Sequence, residues 1–390
     1  MTFAVTNRRD RRSEVPRVGR SGGARVLLAN LTLLVGSALI GLALCELLVR
    51  WLAPQQLILK LPDVWQGVDV LGWTHRAGID AKINMGERTV RFRTDSRGDR
   101  IGSNPAWGAR RRVLLLGDSF MEAMQVEYEQ STAGLLEVGL ARRLGKPVTV
   151  SNTAVAGWDP PQYLLEARAA LPRERFDVTI VALYVGNDVV PRRVEYFPAR
   201  VPVEVHRLRI PRRMTKAELV DAVAYPFNDF LEVRSQLFIL FKRRAETALM
   251  RWGLSAEYFP VELLRSEDRS PRWSVTADIC QDIAEEGRRR GVPTVFVLIP
   301  TSLQIDRDEF WRFARGFRID PETVDLEQPN RRLALELTTR GLRIIDALPA
   351  FRDEHRAGQQ LYGRVDRHLA PAGHEVLERL LEPIVAAYLN

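Results

Sequence analysis

The stretch Arg110-Arg111-Arg112-Val113-Leu114-Leu115-Leu116-Gly117-Asp118-Ser119-Phe120 decides how the rest of this chain is read. Four apolar residues follow three arginines and stop at a glycine, the pattern of a short strand buried on both faces of a parallel sheet. A serine just past such a strand sits at the carboxyl edge of the sheet, where open α/β folds place their ligands. Ser119 is therefore a candidate nucleophile. Gly, Asp and Ser are also ordinary turn residues, so the reading requires a base, an orienting acid and oxyanion donors elsewhere in the chain.

Downstream of Val113 the pattern repeats. Apolar runs at 148–151, 178–183, 295–299 and 342–345 predict further strands. Helical patterns occupy 131–143, 161–171, 276–290 (opening near Ser274 as an N-cap), 330–340 and 372–389. Apolar strands alternating with helices predict an α/β fold, a three-layer α/β/α parallel sheet of the flavodoxin-like kind, over residues 109–390. Residues 190–273 interrupt the alternation at the carboxyl end of the third strand. They open with an arginine-rich segment at 192–213 and continue as an amphipathic stretch at 227–252. This insertion reads either as a lid or substrate platform or as a solvated decoration. Residues 55–108 read as a small β-rich lead-in, with an apolar/polar alternation at 89–94 and a turn at 95–98.

The net charge of +8 is unevenly spread. Residues 1–25 carry seven arginines against Asp10 and Glu14, a net +5, so the other 365 residues carry only +3. A nucleic-acid partner is not supported, because most of the excess lies in a short tail. Residues 26–45 contain no charge over 20 positions; as a helix they span roughly 30 Å, the thickness of a bilayer core. The sequence thus predicts a basic cytoplasmic tail (1–25) and a single transmembrane helix (26–53). With arginines on the inner side, the remainder is placed outside the cytoplasmic (inner) membrane, in the periplasm. A cleaved signal peptide and a buried core helix are the competing readings. Glu46 reads as a boundary charge near the outer end. Two cysteines, Cys45 and Cys280, exclude a disulfide framework and a cysteine zinc cluster; five histidines without an H-E-x-x-H leave no legible metal site.

Candidates for the rest of a catalytic set appear in order at later strand ends. They are 151–158, containing Gly157-Trp158; 184–188, Tyr184-Val185-Gly186-Asn187-Asp188; and 365–374, containing Asp366-Arg367-His368 and His374. Together with Gly117-Asp118-Ser119, these blocks resemble the SGNH, or GDSL-type, hydrolase superfamily over roughly residues 113–388, outside the insertion. The segment 92–98, Phe92-Arg93-Thr94-Asp95-Ser96-Arg97-Gly98, is similar to one found upstream of the serine in membrane-anchored bacterial members. The resemblance implies Ser119 as nucleophile, His368 as base and Asp366 as its acid partner. It also implies an oxyanion hole from Ser119, Gly157 and Asn187, and chemistry without metal or cofactor. The activity it implies is hydrolysis of O-acyl, in particular acetyl, esters of an extracytoplasmic cell-envelope substrate, a glycan or a lipid. An O-acyltransferase working on an envelope polysaccharide and a non-catalytic glycan-binding or assembly module are the alternatives. The chain departs from the widespread family spacing: D-x-x-H is replaced by D-x-H, with Val365 at the usual acid position. In an extended segment residues i and i+2 share a side, so Asp366 and His368 can face one cleft. His374 is the rival base. Asp118 and Asp188 read as cap or turn anchors, and Trp158 either stacks on a sugar or packs.

Overall fold

The computed structural model describes residues 21–53, 64–85, 87–105, 108–189, 227–228, 230–232, 234–251, 261–316, 319–364 and 367–390. The chain forms two compact units, Met1–Pro54 and Gln55–Asn390. The first holds one helix, α1 (Ser21–Leu52), with Glu46 and Arg50 paired one turn apart. Its stretch Arg25–Leu52 is long and apolar enough to cross a membrane.

The second unit opens with two antiparallel hairpins. β1 (Trp65–Val68) pairs with β2 (Gly72–His75), and β3 (Asp80–Asn84) with β4 (Thr89–Arg93). In β4 the alternation seen in sequence turns Val90 and Phe92 inward onto Ile83, Val64 and Met124. The main sheet has five parallel strands: β5 (Arg111–Leu116), β6 (Val148–Asn152), β7 (Val178–Tyr184), β8 (Thr294–Ile299) and β9 (Arg343–Asp346), in the spatial order β6-β5-β7-β8-β9. This 2-1-3-4-5 order is the flavodoxin-like one, and it places the topological switch between the first and third strands, β5 and β7. Ser119 follows β5 and Asn187 follows β7, so the order of strands alone brings both to one crevice.

Strand β5 shows why the sheet is covered on both sides. Val113 and Leu115 face a core shared with α3 (Thr132–Leu144), α10 (Leu348–Arg356) and α11 (Pro371–Leu389). Leu114 and Leu116 face the opposite core, with α4 (Pro160–Ala170), α6 (Arg272–Arg288) and α9 (Gln328–Thr339). All four are fully buried, each contributing about 1.5–3 kcal/mol relative to exposure. The result is the expected three-layer α/β/α architecture.

Local chemistry sets the helix ends. Ser131 caps α3 by accepting from Gly134 N, and Gly145 ends it at φ 65°, a left-handed conformation that glycine adopts without strain. Helix α6 starts at Arg272, ahead of the expected Ser274 cap. Ser274 lies inside the first turn, and its hydroxyl donates back to Pro271 O at 3.0 Å instead of capping. Within the stretch 190–273, residues 190–226, including the arginine-rich segment, and 252–260 lie outside the described residues. Helix α5 (Gln236–Arg251) packs on α8 (Arg307–Gly316), which follows the four-residue α7 (Ser302–Ile305). Leu263, Leu264 and Trp273, at the end of the stretch, belong to the core on the α4–α6 side.

Candidate active site

Past β5 the chain turns sharply. Asp118 caps a one-turn helix, α2 (Ser119–Glu122), its Oδ1 accepting from Phe120 N at 2.9 Å, and Ala123 ends the turn in the left-handed region at φ 56°. Ser119 is half-buried at this edge. The carbonyls leaving α2 are gathered by one buried side chain. Arg100 donates to Glu122 O at 2.6 Å and to Ala123 O and Val126 O at 2.7 Å each. Its guanidinium lies over the rings of Phe92 and Tyr128. Burial pulls its pKa down to about 10, which leaves it cationic at neutral pH. On the same turn Glu122 accepts from Trp65 Nε1 at 3.1 Å and meets His75 Nε2 at 2.6 Å. The β-rich lead-in thus grips the segment behind Ser119.

The loop after β6 is tied to the first block by Val155 N donating to Gly117 O at 3.3 Å. Trp73 Nε1 donates to Ala156 O at 2.8 Å, and Trp158 Nε1 to Trp73 O at 2.9 Å. Gly157 between them is exposed at φ 79°, and a Cβ there would approach Trp73 to 3.1 Å. Both the conformation and the space call for glycine. Trp158 is buried, so it packs and does not present a stacking face.

After β7, Asp188 is the buried anchor of its turn, accepting from Tyr184 N at 2.8 Å and Tyr163 OH at 3.0 Å, with burial pushing its carboxyl well above the usual range. Asn187 stands exposed beside it and donates from Nδ2 to Asp118 Oδ2 at 2.9 Å. A side-chain amide has two N–H donors; fixing one on Asp118 aims the other. Asp118 is itself buried. Desolvation raises its pKa, while the bonds from Asn187 and Phe120 act the other way.

The last block is a loop closed on itself. Tyr362 and Leu369 pair as an isolated bridge, Gly363 N donates to His368 O at 2.7 Å, and Ala370 N donates to Leu361 O at 2.9 Å. The Tyr362 hydroxyl donates to Pro300 O, anchoring the loop to the end of β8. His368 Nε2 lies 2.8 Å from Ser119 Oγ. Its ring sits 4.8 Å from that of Phe120, which in turn stacks on Tyr184 at 3.9 Å. Asp366 and Val365 lie outside the described residues. His374 is elsewhere: buried in α11, its Nδ1 3.0 Å from Thr132 Oγ1 and accepting from Thr132 N at 3.3 Å. Burial, with the charges of Arg100 and His368, pushes its pKa down to about 3.

The fold therefore unites Ser119 with His368, and Asp118 with Asn187, and holds the Gly157 loop against Gly117. Sequence reading missed two supports. Arg100, just past the 92–98 segment, gave no signal beyond its nearness to that segment. The Asp118–Asn187 bond joins the ends of two strands, and only the strand order could have pointed to it.

No family model and no curated protein matches the chain. Among solved structures it is similar to a lipolytic G-D-S-L family protein from Veillonella parvula, at 10% identity over 70% of this chain and 97% of that one, with a TM-score of 0.36. It is similar to TesA at 13% identity over 72% and 100% of the two chains, TM-score 0.37. It is also similar to a catalytic mutant of an acetylxylan esterase from Geobacillus stearothermophilus at 11% identity over 71% and 95%, TM-score 0.37. These are likenesses of chain path, and by them the chain is similar in path to lipolytic G-D-S-L proteins and acetylxylan esterases.

Proposed function

We propose that the protein is a serine esterase that cleaves O-acyl esters through a Ser119–His368–Asp366 triad. The observation that carries this reading is the 2.8 Å contact between Ser119 Oγ and His368 Nε2 at the carboxyl edge of a parallel sheet, beside its switch point. Ser119 Oγ attacks the acyl carbon as its proton passes to His368 Nε2. The imidazolium then returns that proton to the leaving oxygen, and water repeats the cycle on the acyl-enzyme. Asp366, two residues before His368, is the group assigned to hold the imidazole tautomer and stabilise the imidazolium. The N–H groups of Ser119 and Gly157 and the second N–H of Asn187 Nδ2 receive the developing oxyanion. The exposure of Gly157 and Asn187, beside a half-buried Ser119, fits a site open to a bulky ester.

We further propose that the Arg25–Leu52 helix anchors the protein in the cytoplasmic membrane, with the basic tail inside and the sheet domain outside. The preferred ester is then an acetyl group on an envelope glycan or lipid. The test is release of p-nitrophenol from p-nitrophenyl acetate by the full chain in mild detergent, with Ser119→Ala as control. Turnover that depends on Ser119 supports the esterase; turnover unaffected by the substitution removes the triad. A product acylated on an added oligosaccharide, formed at the expense of free acetate, would move the reading to acyl transfer.

A further inference from the structure

The residue before His368 is held in an unusual way. Arg367 has φ 62°, the left-handed region that side chains other than glycine rarely adopt and that the surroundings must hold in place. Its guanidinium Nη1 reaches 2.6 Å from Glu309 Oε1. Glu309 stands in the first turn of α8, whose start is fixed by Asp306 Oδ1 accepting from Asp308 N at 2.8 Å and Glu309 N at 3.0 Å. A glutamate in a first turn ordinarily lies in water, yet this side chain is only 8% exposed. The same Oε1 also accepts from Ser302 Oγ at 2.9 Å, the first residue of α7. Glu309 and Arg367 face a cleft of about 290 Å³ that runs along the His368 loop. The other end of that loop is pinned by Tyr362 to Pro300, just past β8.

We infer that Glu309 is a positioning residue for His368, acting through Arg367. This rests on the esterase reading above. The His368 backbone is fixed by Gly363 N and, past it, by the Tyr362–Leu369 bridge and Ala370 N; ahead of it, the Arg367 side chain ties the left-handed turn to Glu309. A buried carboxylate held by a guanidinium and a hydroxyl is a stiff anchor, because moving Arg367 away leaves its buried charge without compensation. The pair therefore sets the angle from which Nε2 meets Ser119 Oγ. A misplacement of about 1 Å there is enough to slow proton transfer by up to roughly 100-fold.

The experiment uses the full chain in mild detergent with p-nitrophenyl acetate, with folded fractions matched by circular dichroism. Glu309→Gln keeps the size and the Ser302 bond but discharges the anchor. Arg367→Gly suits φ 62° but removes the guanidinium. We expect each to lower kcat roughly 10-fold, with KM within about twofold of wild type. The double variant should lose no more than either single, because both act on one link. Arg367→Lys, which keeps a cation, should recover part of the rate. Should Glu309→Gln fail to fold, the Arg367→Gly and Arg367→Lys pair carries the same test. An unchanged kcat, a change in KM alone, or losses that multiply in the double variant would overturn the inference while leaving the esterase standing. Wild-type protein without Ser119-dependent turnover overturns both.

Discussion

The loop 361–370 and the helix that follows it each present one histidine, and they treat it in opposite ways. His368 sits half-buried in a loop pinned at Leu361, Gly363 and Pro300, with Nε2 at 2.8 Å from a serine hydroxyl. His374, six residues on, is fully buried, held neutral by desolvation with a pKa of about 3, and spends Nδ1 on Thr132. A general base has to accept a proton near operating pH and release it again; an imidazole that titrates near 3 cannot. The difference teaches that the break from loop to helix at Pro371 separates an imidazole facing a serine hydroxyl from a packing one. Sequence distance does not.

The sharpest way to break this comparison is to remove each ring in turn. His368→Ala and Ser119→Ala should each lower kcat about 10⁶-fold, while His374→Ala should leave kcat within a few-fold per folded molecule. Steady-state ester hydrolysis reads both. Next in size is Asn187→Ala, which removes one of the proposed oxyanion donors and should cost about 10²–10³ in kcat, some 3–4 kcal/mol of transition-state stabilisation, with little change in KM. In the helix the effect of His374→Ala belongs to stability. The lost Thr132 contact and the space left behind should cost about 2–3 kcal/mol at pH 7.5 by urea unfolding. Its folded pKa is depressed from 6.5 to about 3. The contribution of His374 is therefore present above pH 6.5 and fades as pH falls toward 3, so the penalty of the substitution should shrink between pH 7 and pH 4.

A smaller and opposite pH effect belongs to Glu137 on α3. Burial raises its carboxyl from 4.5 to about 7, although Val150 N donates to it at 2.9 Å. Its protonated form is favoured in the fold, so stability is fully present below pH 4.5 and is lost as pH rises through 7, by at most ~3 kcal/mol. Glu137→Gln should flatten that part of the unfolding-against-pH curve. A slope unchanged by the substitution would place the titration elsewhere.

Part of this region was legible before the fold. Val113–Leu116 read as a two-faced buried strand because no polar residue interrupts it, and Ser119 and His368, singled out because each follows or approaches a sheet edge, lie 2.8 Å apart. What was not legible is carried by long-range contacts and by charge-rich helices. Arg307–Gly316 and Leu348–Arg356 are short, charge-rich helices whose buried residues nonetheless recur at helical spacing, a pattern the sequence reading passed over. Helix α6 begins ahead of Ser274, with Pro271 at its N-cap and no side-chain capping bond. Trp158 carried a stacking reading that its burial removes. Arg100 looked like one more basic residue, yet it binds three carbonyls behind the Ser119 turn, a role that depends on how the lead-in docks.

The central claim is that Ser119 is activated by His368 and not by His374. Labelling by a fluorophosphonate, followed by intact mass, tests it without knowledge of the natural ester. The account predicts a single adduct on the wild-type chain, none on Ser119→Ala, labelling slowed at least about 100-fold in His368→Ala, and a wild-type rate in His374→Ala. An adduct that persists in Ser119→Ala, or labelling that depends on His374 and not on His368, would contradict it.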